Sequence, residues 1–341
     1  MHSFIVVPCL NEGRLIERTA RSLGFGAAGK NVADVTLALI DNGSTDDTWA
    51  KISAIRDASE PGSVIIAREA ERGYVPPRHR GALLALEFSA EHRIPPEEVL
   101  ILQADADTVY QTGYVEAMHN AALSAGANHI VEGGTRPPLR FLHDHPGFQK
   151  LADLIDDEAL SHSVSEANDV IVDDKVAGYR LADYFIWGGL RRDFMSRGAE
   201  VHAETTRLFI RARRHSARKA HAGDAWARPS RRKIQRNPIR HFATAGFPRE
   251  NRWWRAWSAD YGGPRDLDAF EKSENLKALA PAIEMRRMHL RALFTTIPTL
   301  VARNLSETSS VKRSMSPVES AALQCLADDN LGGFFEVLLP Q

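Results

Sequence analysis

Ile101-Leu102-Gln103-Ala104-Asp105-Ala106-Asp107-Thr108 reads as a short apolar strand that ends in two carboxylates one residue apart. In an extended chain, residues i and i+2 project to the same side, so Asp105 and Asp107 can converge at the strand's C-terminal end. Hard oxygen donors in that arrangement suit Mg²⁺ or Mn²⁺, which uses one or two carboxylates together with substrate phosphates. A lone Asp-x-Asp is more often a polar loop after a strand, so the surrounding stretches decide.

Upstream, residues 3–8, Ser-Phe-Ile-Val-Val-Pro, form an apolar run without alternation, as in a strand buried on both faces. Pro8, Asn11, Glu12 and Gly13 end it, and a helical pattern follows over 14–23. Residues 35–40 make a second buried strand, closed by Asp41-Asn42-Gly43-Ser44-Thr45-Asp46-Asp47-Thr48, where Ser44 or Thr45 is expected to cap the next helix. A third strand is expected at 63–67, a helix carrying Arg78, His79 and Arg80 after it, and a fourth strand at 99–102. Strand, loop and helix in repetition imply parallel strands joined by right-handed crossovers. Ligands of such sheets sit at the carboxyl ends of the strands. Those ends carry Asn11 and Glu12, Asp41 and Asn42, and Asp105 and Asp107, which strengthens the metal reading. No G-x-G-x-x-G follows the first strand and no G-x-x-x-x-G-K-[ST] occurs.

The 341 residues allow one large domain or two smaller ones, and 43% hydrophobic with 26% charged residues is ordinary for a soluble globular protein. Cys9 and Cys325 are too few for a disulfide scaffold, and a reducing cytoplasm is expected. With a core strand entered by residue 4, no cleavable signal is expected. No apolar run reaches the roughly 18 residues of a spanning helix. Peripheral contact with the inner face of a membrane remains compatible with the sequence.

After Gly133-Gly134 the pattern changes. Residues 146–160 and 164–184 read as acidic helices, Tyr184–Trp187 as an aromatic strand, and 191–198 as a short helix. A basic helix is expected over 204–216, with Arg207, Arg211, Arg214 and Arg218 on one face. That stripe is expected to neutralise the acidic 153–174 segment or to meet phosphates. Trp253, Trp254, Trp257 and Tyr261 are expected to pack C-terminal helices, and no nucleic-acid motif accompanies the positive charge.

Four motifs, in order, resemble those of GT-A glycosyltransferases of family 2. Val-Val-Pro-Cys-Leu-Asn-Glu at 6–12 resembles V-P-x-x-N-E, and 39–48 resembles V-D-D-G-S-x-D-x-T. Arg78-His79-Arg80-Gly81 stands where the family has A-R-N-x-G, and Asp105-Ala106-Asp107 matches D-A-D. Glu-Thr-Thr-Arg-Leu-Phe-Ile-Arg from 204 is similar to E-D-x-x-L-x-x-R. The resemblance implies an α/β, Rossmann-like GT-A fold with a mixed, mostly parallel sheet flanked by helices and a helical C-terminal extension. Domains are expected at 1–235, for nucleotide-sugar binding and catalysis, and at 236–341, as a lid or homodimer interface. It further implies a metal-dependent glycosyltransferase that moves a sugar from a nucleotide-sugar donor to a hydroxyl acceptor with inversion. Pro8, Asn11, Glu12, Asp41 and Asn42 would surround the base and ribose, and Arg78 the base or diphosphate. Asp105 would lie by the ribose and Asp107 would hold the Mg²⁺ or Mn²⁺, with Asp105 as its companion carboxylate.

A sugar hydroxyl attacks efficiently only if a carboxylate takes its proton, and family members use an acid of the E-D pair. Here the second position is Thr205, which leaves Glu204 as the expected base, with Glu200, Asp193 and Asp183 as substitutes. His221 is a further metal ligand in one reading and a solvated histidine in the other. Two competing functions remain at this stage: a catalytically degenerate nucleotide-sugar-binding protein, suggested by Thr205, and a nucleotidyltransferase. The loop Cys9–Arg14 lacks the glycine-rich basic character that the latter needs.

Overall fold

The computed structural model describes residues 1–27, 34–161, 168–244, 259, 266–272, 279–306 and 315–338. Trp253, Trp254, Trp257 and Tyr261 lie outside the described residues. The chain divides into two compact units, one of Met1–Arg136, Val172–Arg191 and Glu204–Ser230, the other of Pro137–Ile171, Arg192–Ala203 and Arg231–Gln341.

In the first unit β1 (His2–Cys9), β2 (Val35–Asp41), β3 (Val64–Arg68) and β4 (Val99–Gln103) are parallel neighbours in the order β3-β2-β1-β4. Every residue of β2 and β4 is buried, as their uninterrupted apolar runs require of strands covered on both faces. The helices α1 (Ile16–Ser22), α2 (Thr48–Asp57) and α3 (Val75–His92) make the crossovers. From β1 to β3 the chain moves one way, and from β3 it returns past β1 to β4. The strand order therefore reverses between β1 and β4, which is where such sheets open a crevice for ligand.

Beyond β4 the sheet is mixed. β5 (Thr108–Tyr110), α4 (Tyr114–Ala125), β6 (His129–Thr135), β7 (Ala177–Arg180), α7 (Leu181–Ile186), α8 (Glu204–Ala212) and β8 (Arg218–Pro229) complete the unit. The full order is β3-β2-β1-β4-β7-β6-β8-β5, with β7 antiparallel to β4 and β6, and β5 antiparallel to β8.

Several expectations give way here. Tyr184–Trp187 is no strand: α7 runs through Tyr184 to Ile186, and Gly188 and Gly189 at φ 84° and 68° stop it in a conformation that favours glycine. The 168–184 segment is not one helix, because a single turn at Asp174–Val176 leads straight into β7. No helix covers 191–198, where Phe194 instead bridges Glu200. The basic helix stops early as well: Ser216 turns left-handed at φ 59°, and Arg218 opens a twelve-residue strand. The expected positive stripe does not form, since Arg207 and Arg211 are buried in α8 while Arg218 belongs to β8.

The second unit is mainly helical in its described parts. It contains α5 (Leu139–Asp144), α6 (Pro146–Leu160), α9 (Arg232–Arg236), α10 (Pro238–Thr244), α11 (Leu267–Glu271), α12 (Ala280–Arg291), α13 (Ile297–Leu305), α14 (Pro317–Ala327) and α15 (Leu331–Leu338). Phe148, Ile155, Phe242, Phe270, Met285 and Leu290 share one apolar core. The acids of α6 find their cations on α12 rather than on the 207–218 segment: Arg286 pairs with Asp156 and Arg287 with Glu158. Among the described residues no helix is long and apolar enough to cross a membrane.

Candidate active site

At the carboxyl ends of β1 and β2 the motif residues close on one another. Asn11 adopts φ 56°, which asparagine tolerates, and its N–H donates to Ser44 Oγ at 3.0 Å. Its Oδ1 accepts from the Thr45 N–H at 2.8 Å and the Thr45 hydroxyl at 3.2 Å. Glu12 N–H donates to Thr48 Oγ1 at 2.8 Å, and Gly13 N–H donates to Asp46 Oδ2 at 3.2 Å. A Cβ on Gly13 would stand 1.9 Å from Asp47 Oδ1, so that position admits no side chain without rearrangement. Ser44 and Thr45 thus staple the two loops and do not cap α2; Asp46 Oδ1 receives the Thr48 N–H instead, at 3.0 Å.

Asp41 is buried and accepts the Ser44 N–H at 3.2 Å. Asn42, also buried, donates to the carbonyls of Glu69 and Glu71 at 3.1 and 2.7 Å and accepts the Gly73 N–H at 3.3 Å. Its amide holds the 69–73 loop, with both ends of the side chain engaged. Pro8, opposite Ile40 in the β1–β2 ladder, borders these loops and is half-buried.

On the β4 side the organising residue is Arg78. Its guanidinium is buried and donates in three directions: Nη1 to Gln103 Oε1 at 2.8 Å, Nη2 to Asp105 Oδ1 at 2.6 Å, and Nε to Glu204 Oε1 at 3.0 Å. Burial alone would lower its proton affinity, but Asp105, Glu204 and Asp174 more than offset that and hold the charge firmly. The family resemblance implies a place for Arg78 by the base or diphosphate. In the structure it joins the end of β4 to the start of α8, and α3 can carry it there because Gly81, one turn on, packs directly on Val6 of β1.

Asp105 is pinned from a second side. Its N–H donates to Tyr110 Oη at 2.9 Å, and the Tyr110 hydroxyl donates to the Lys175 carbonyl at 3.0 Å. Lys175 follows Asp173 and Asp174 in the turn before β7, a segment that sequence reading took for helix. Four contacts fix this turn. Asp173 N–H donates to Glu132 Oε1 at 2.6 Å, Asp173 Oδ1 accepts from the Lys175 ammonium at 2.5 Å, Val172 N–H donates to Thr206 Oγ1 at 2.9 Å, and Asp174 Oδ1 accepts the Thr205 N–H at 2.8 Å. Burial opposes the Lys175 charge, but Asp173, Asp105 and Asp174 raise its proton affinity overall. Asp174 was not singled out from the sequence. Burial, and after it the neighbouring Glu204 carboxylate, raise it to about 7, with Arg78 acting the other way.

Asp107 is half-exposed, and its carbonyl accepts the Ser230 N–H at 3.0 Å, just past the end of β8. Among the described residues no group of three or more His, Cys, Asp or Glu side chains could hold a metal unaided. The donor chemistry at Asp105 and Asp107 fits the other kind of site, in which one or two carboxylates share a hard cation with phosphate oxygens. His221 is not part of it: it lies near the start of β8, largely exposed and 4.0 Å from Glu132. Of the substitute acids, Asp183 accepts the Asn128 N–H at 2.7 Å on the far side of β7, whereas Asp193 and Glu200 belong to the second unit.

The family model described as Glycosyl transferase family 2 matches residues 4–139, which include β1 to β6 with all of the loops just described up to Asp107. No curated protein matches the chain in sequence. The fold is similar to that of S. aureus TarS 1-349 in complex with UDP-GlcNAc, with 12% identity, 99% of this chain and 90% of that chain covered, and a TM-score of 0.48. It is similar also to the mannosyltransferase PcManGT from Pyrobaculum calidifontis in complex with GDP-Man and Mn²⁺, with 14% identity, 99% and 84% covered, and a TM-score of 0.47. The strand order reverses between β1 and β4 with motif residues at each strand end around it, and the part of the chain that carries them, residues 4–139, is similar to glycosyl transferase family 2.

Proposed function

We propose that this protein transfers a sugar from a nucleotide-sugar donor to a hydroxyl acceptor, with inversion at the anomeric carbon. The observation that carries the reading is the pair Asp105 and Asp107 at the end of β4, with Asp105 oriented from two sides by Arg78 and Tyr110. These carboxylates would hold Mg²⁺ or Mn²⁺ jointly with the donor diphosphate, where the ion supplies Lewis-acid stabilisation of the departing diphosphate charge. Pro8, Asn11, Glu12 and Asp41 would border the base and ribose at the ends of β1 and β2. Asn42 and Arg78 would act one step back, the first by shaping the 69–73 loop and the second by orienting Asp105 and Glu204. The acceptor's proton would go to a carboxylate at the start of α8, where Glu204 and Asp174 stand together. Residues 236–341 would serve as a lid or a homodimer interface, and the protein would work in the cytoplasm.

The test is a thermal-shift and nucleotide-release screen with UDP-glucose, UDP-GlcNAc and GDP-mannose, each with and without Mn²⁺. A true donor at about one hundred times its Kd should stabilise the protein by roughly 2.7 kcal/mol. The gain should need the ion and vanish in Asp107→Ala. Equal stabilisation in Asp107→Ala, or binding indifferent to Mn²⁺, would sink the metal assignment. Absence of binding and release with all three sugars would sink the transferase reading.

A further inference from the structure

Two carboxylates stand at the N-terminus of α8, and the structure treats them differently. Glu204 is 5% exposed and spends Oε1 on the buried Arg78 guanidinium. A carboxylate in that position neutralises a buried cation that also orients Asp105. Asp174 is more open to solvent than Glu204. Among the described residues no ion pair engages it, and Oδ1 accepts a single backbone hydrogen bond, from Thr205. Its placement is nonetheless tight, because Glu132, Thr206 and Tyr110 each bind the 172–175 turn that carries it. Thr205 itself offers only a hydroxyl, which is no base at neutral pH.

We infer that Asp174, and not Glu204, is the residue that takes the acceptor's proton, while Glu204 is a positioning residue that holds Arg78. The inference rests on the glycosyl-transfer reading above. In the step, the acceptor oxygen forms its bond to the anomeric carbon and its proton passes to the Asp174 carboxylate. The bond from that carbon to the diphosphate breaks, and its electron pair leaves with the nucleoside diphosphate. The charged and titratable groups facing Asp174 are Glu204 on α8, Arg78 on α3, Lys175 beside it in the turn and Tyr179 on β7. Glu204 keeps Asp174 protonated to higher pH and Arg78 opposes it, so the base form should appear as pH rises through about 7. Turnover should rise with it.

The experiment follows nucleotide release from UDP-glucose, UDP-GlcNAc and GDP-mannose in Mn²⁺, with water as acceptor, across pH 5 to 9. Wild type should show a rise with an inflection near 7. Asp174→Asn keeps an oxygen for the Thr205 N–H and should lose about 10²- to 10⁴-fold in release rate, together with the inflection. Its affinity for UDP or GDP with Mn²⁺ should stay within about twofold. Added azide, a nucleophile with no proton to lose, should restore release in Asp174→Asn. Glu204→Gln removes a repelling neighbour, so its inflection should move to lower pH and persist. The inference is overturned if Asp174→Asn releases nucleotide within twofold of wild type, or if Glu204→Gln is the variant that loses the inflection and is rescued by azide. A wild type that releases nothing from any of the three sugars removes the transferase reading and this inference together.

Discussion

The two sides of the switch point are held by different physics. On the β1–β2 side, the loops are stapled by short bonds between backbone and small polar side chains: Asn11 to Ser44 and Thr45, Glu12 to Thr48, Gly13 to Asp46. On the β4 side, a buried guanidinium binds three side chains at once, and the acids Asp105 after β4 and Glu204 on α8 depend on it. A staple of several small bonds is redundant, since each contributes on the order of 1 kcal/mol net. A buried charge is not redundant, because removing one partner strands the other. The β1–β2 side should therefore tolerate single losses that the charged side does not.

Arg78→Ala is the most severe way to break that contrast. It would leave Glu204 buried without its cation and free Asp105, at a cost of about 3–5 kcal/mol, read as a shift in the urea midpoint at unchanged slope. A loss below about 1 kcal/mol would mean that the network is as redundant as the staple. Gly81→Ala tests how Arg78 is delivered. A Cβ there would meet Val6 Cγ1 at 2.3 Å, and pushing α3 off β1 should cost about 1–3 kcal/mol. Because Arg78 lies one turn away on the same helix, this variant should also weaken donor binding, and unchanged binding would detach the two effects. Asn42→Ala removes the amide that holds the 69–73 loop and should cost about 1–2 kcal/mol, most visible as faster amide exchange at Glu69 to Gly73. The smallest expected effect is that of His221→Ala. It lies outside the carboxylate site, so Mn²⁺ affinity should not change by more than about twofold; a larger loss would bring His221 into the metal shell after all.

The difference between the two sides also explains what could be read from the chain. Residues 6–13 and 41–48 interact with partners a few residues into the neighbouring motif, and glycine, asparagine and proline mark the turns that make this possible. Four parallel strands and their ends were legible for that reason, and so was the family resemblance. The contacts of the charged side were not legible because its partners are far apart in sequence. Arg78 and Glu204 are separated by 126 positions, and no periodicity reports such a pair. Arg207 and Arg211 read by spacing as part of a positive stripe, yet α8 is buried all round, and helical spacing alone cannot tell a charged surface from a charged interior. Tyr184 to Trp187 was misread for a related reason. Aromatic residues favour strands by packing on a sheet, and here Tyr184 stacks on Tyr179 from a helix instead.

The sequence by itself determined the parallel half of the sheet, the gathering of polar residues at its strand ends and the acid pair after β4, because apolar runs and turn residues act locally. Tertiary structure alone decided what Arg78 binds, which acid at α8 is tied up in an ion pair, and that Asp174 is there at all. Its turn is set by Glu132, Tyr110 and Thr206, drawn from three separate elements. Proton affinity depends on burial and on charges brought together by folding, so the chemistry of Asp174 exists only in the folded chain.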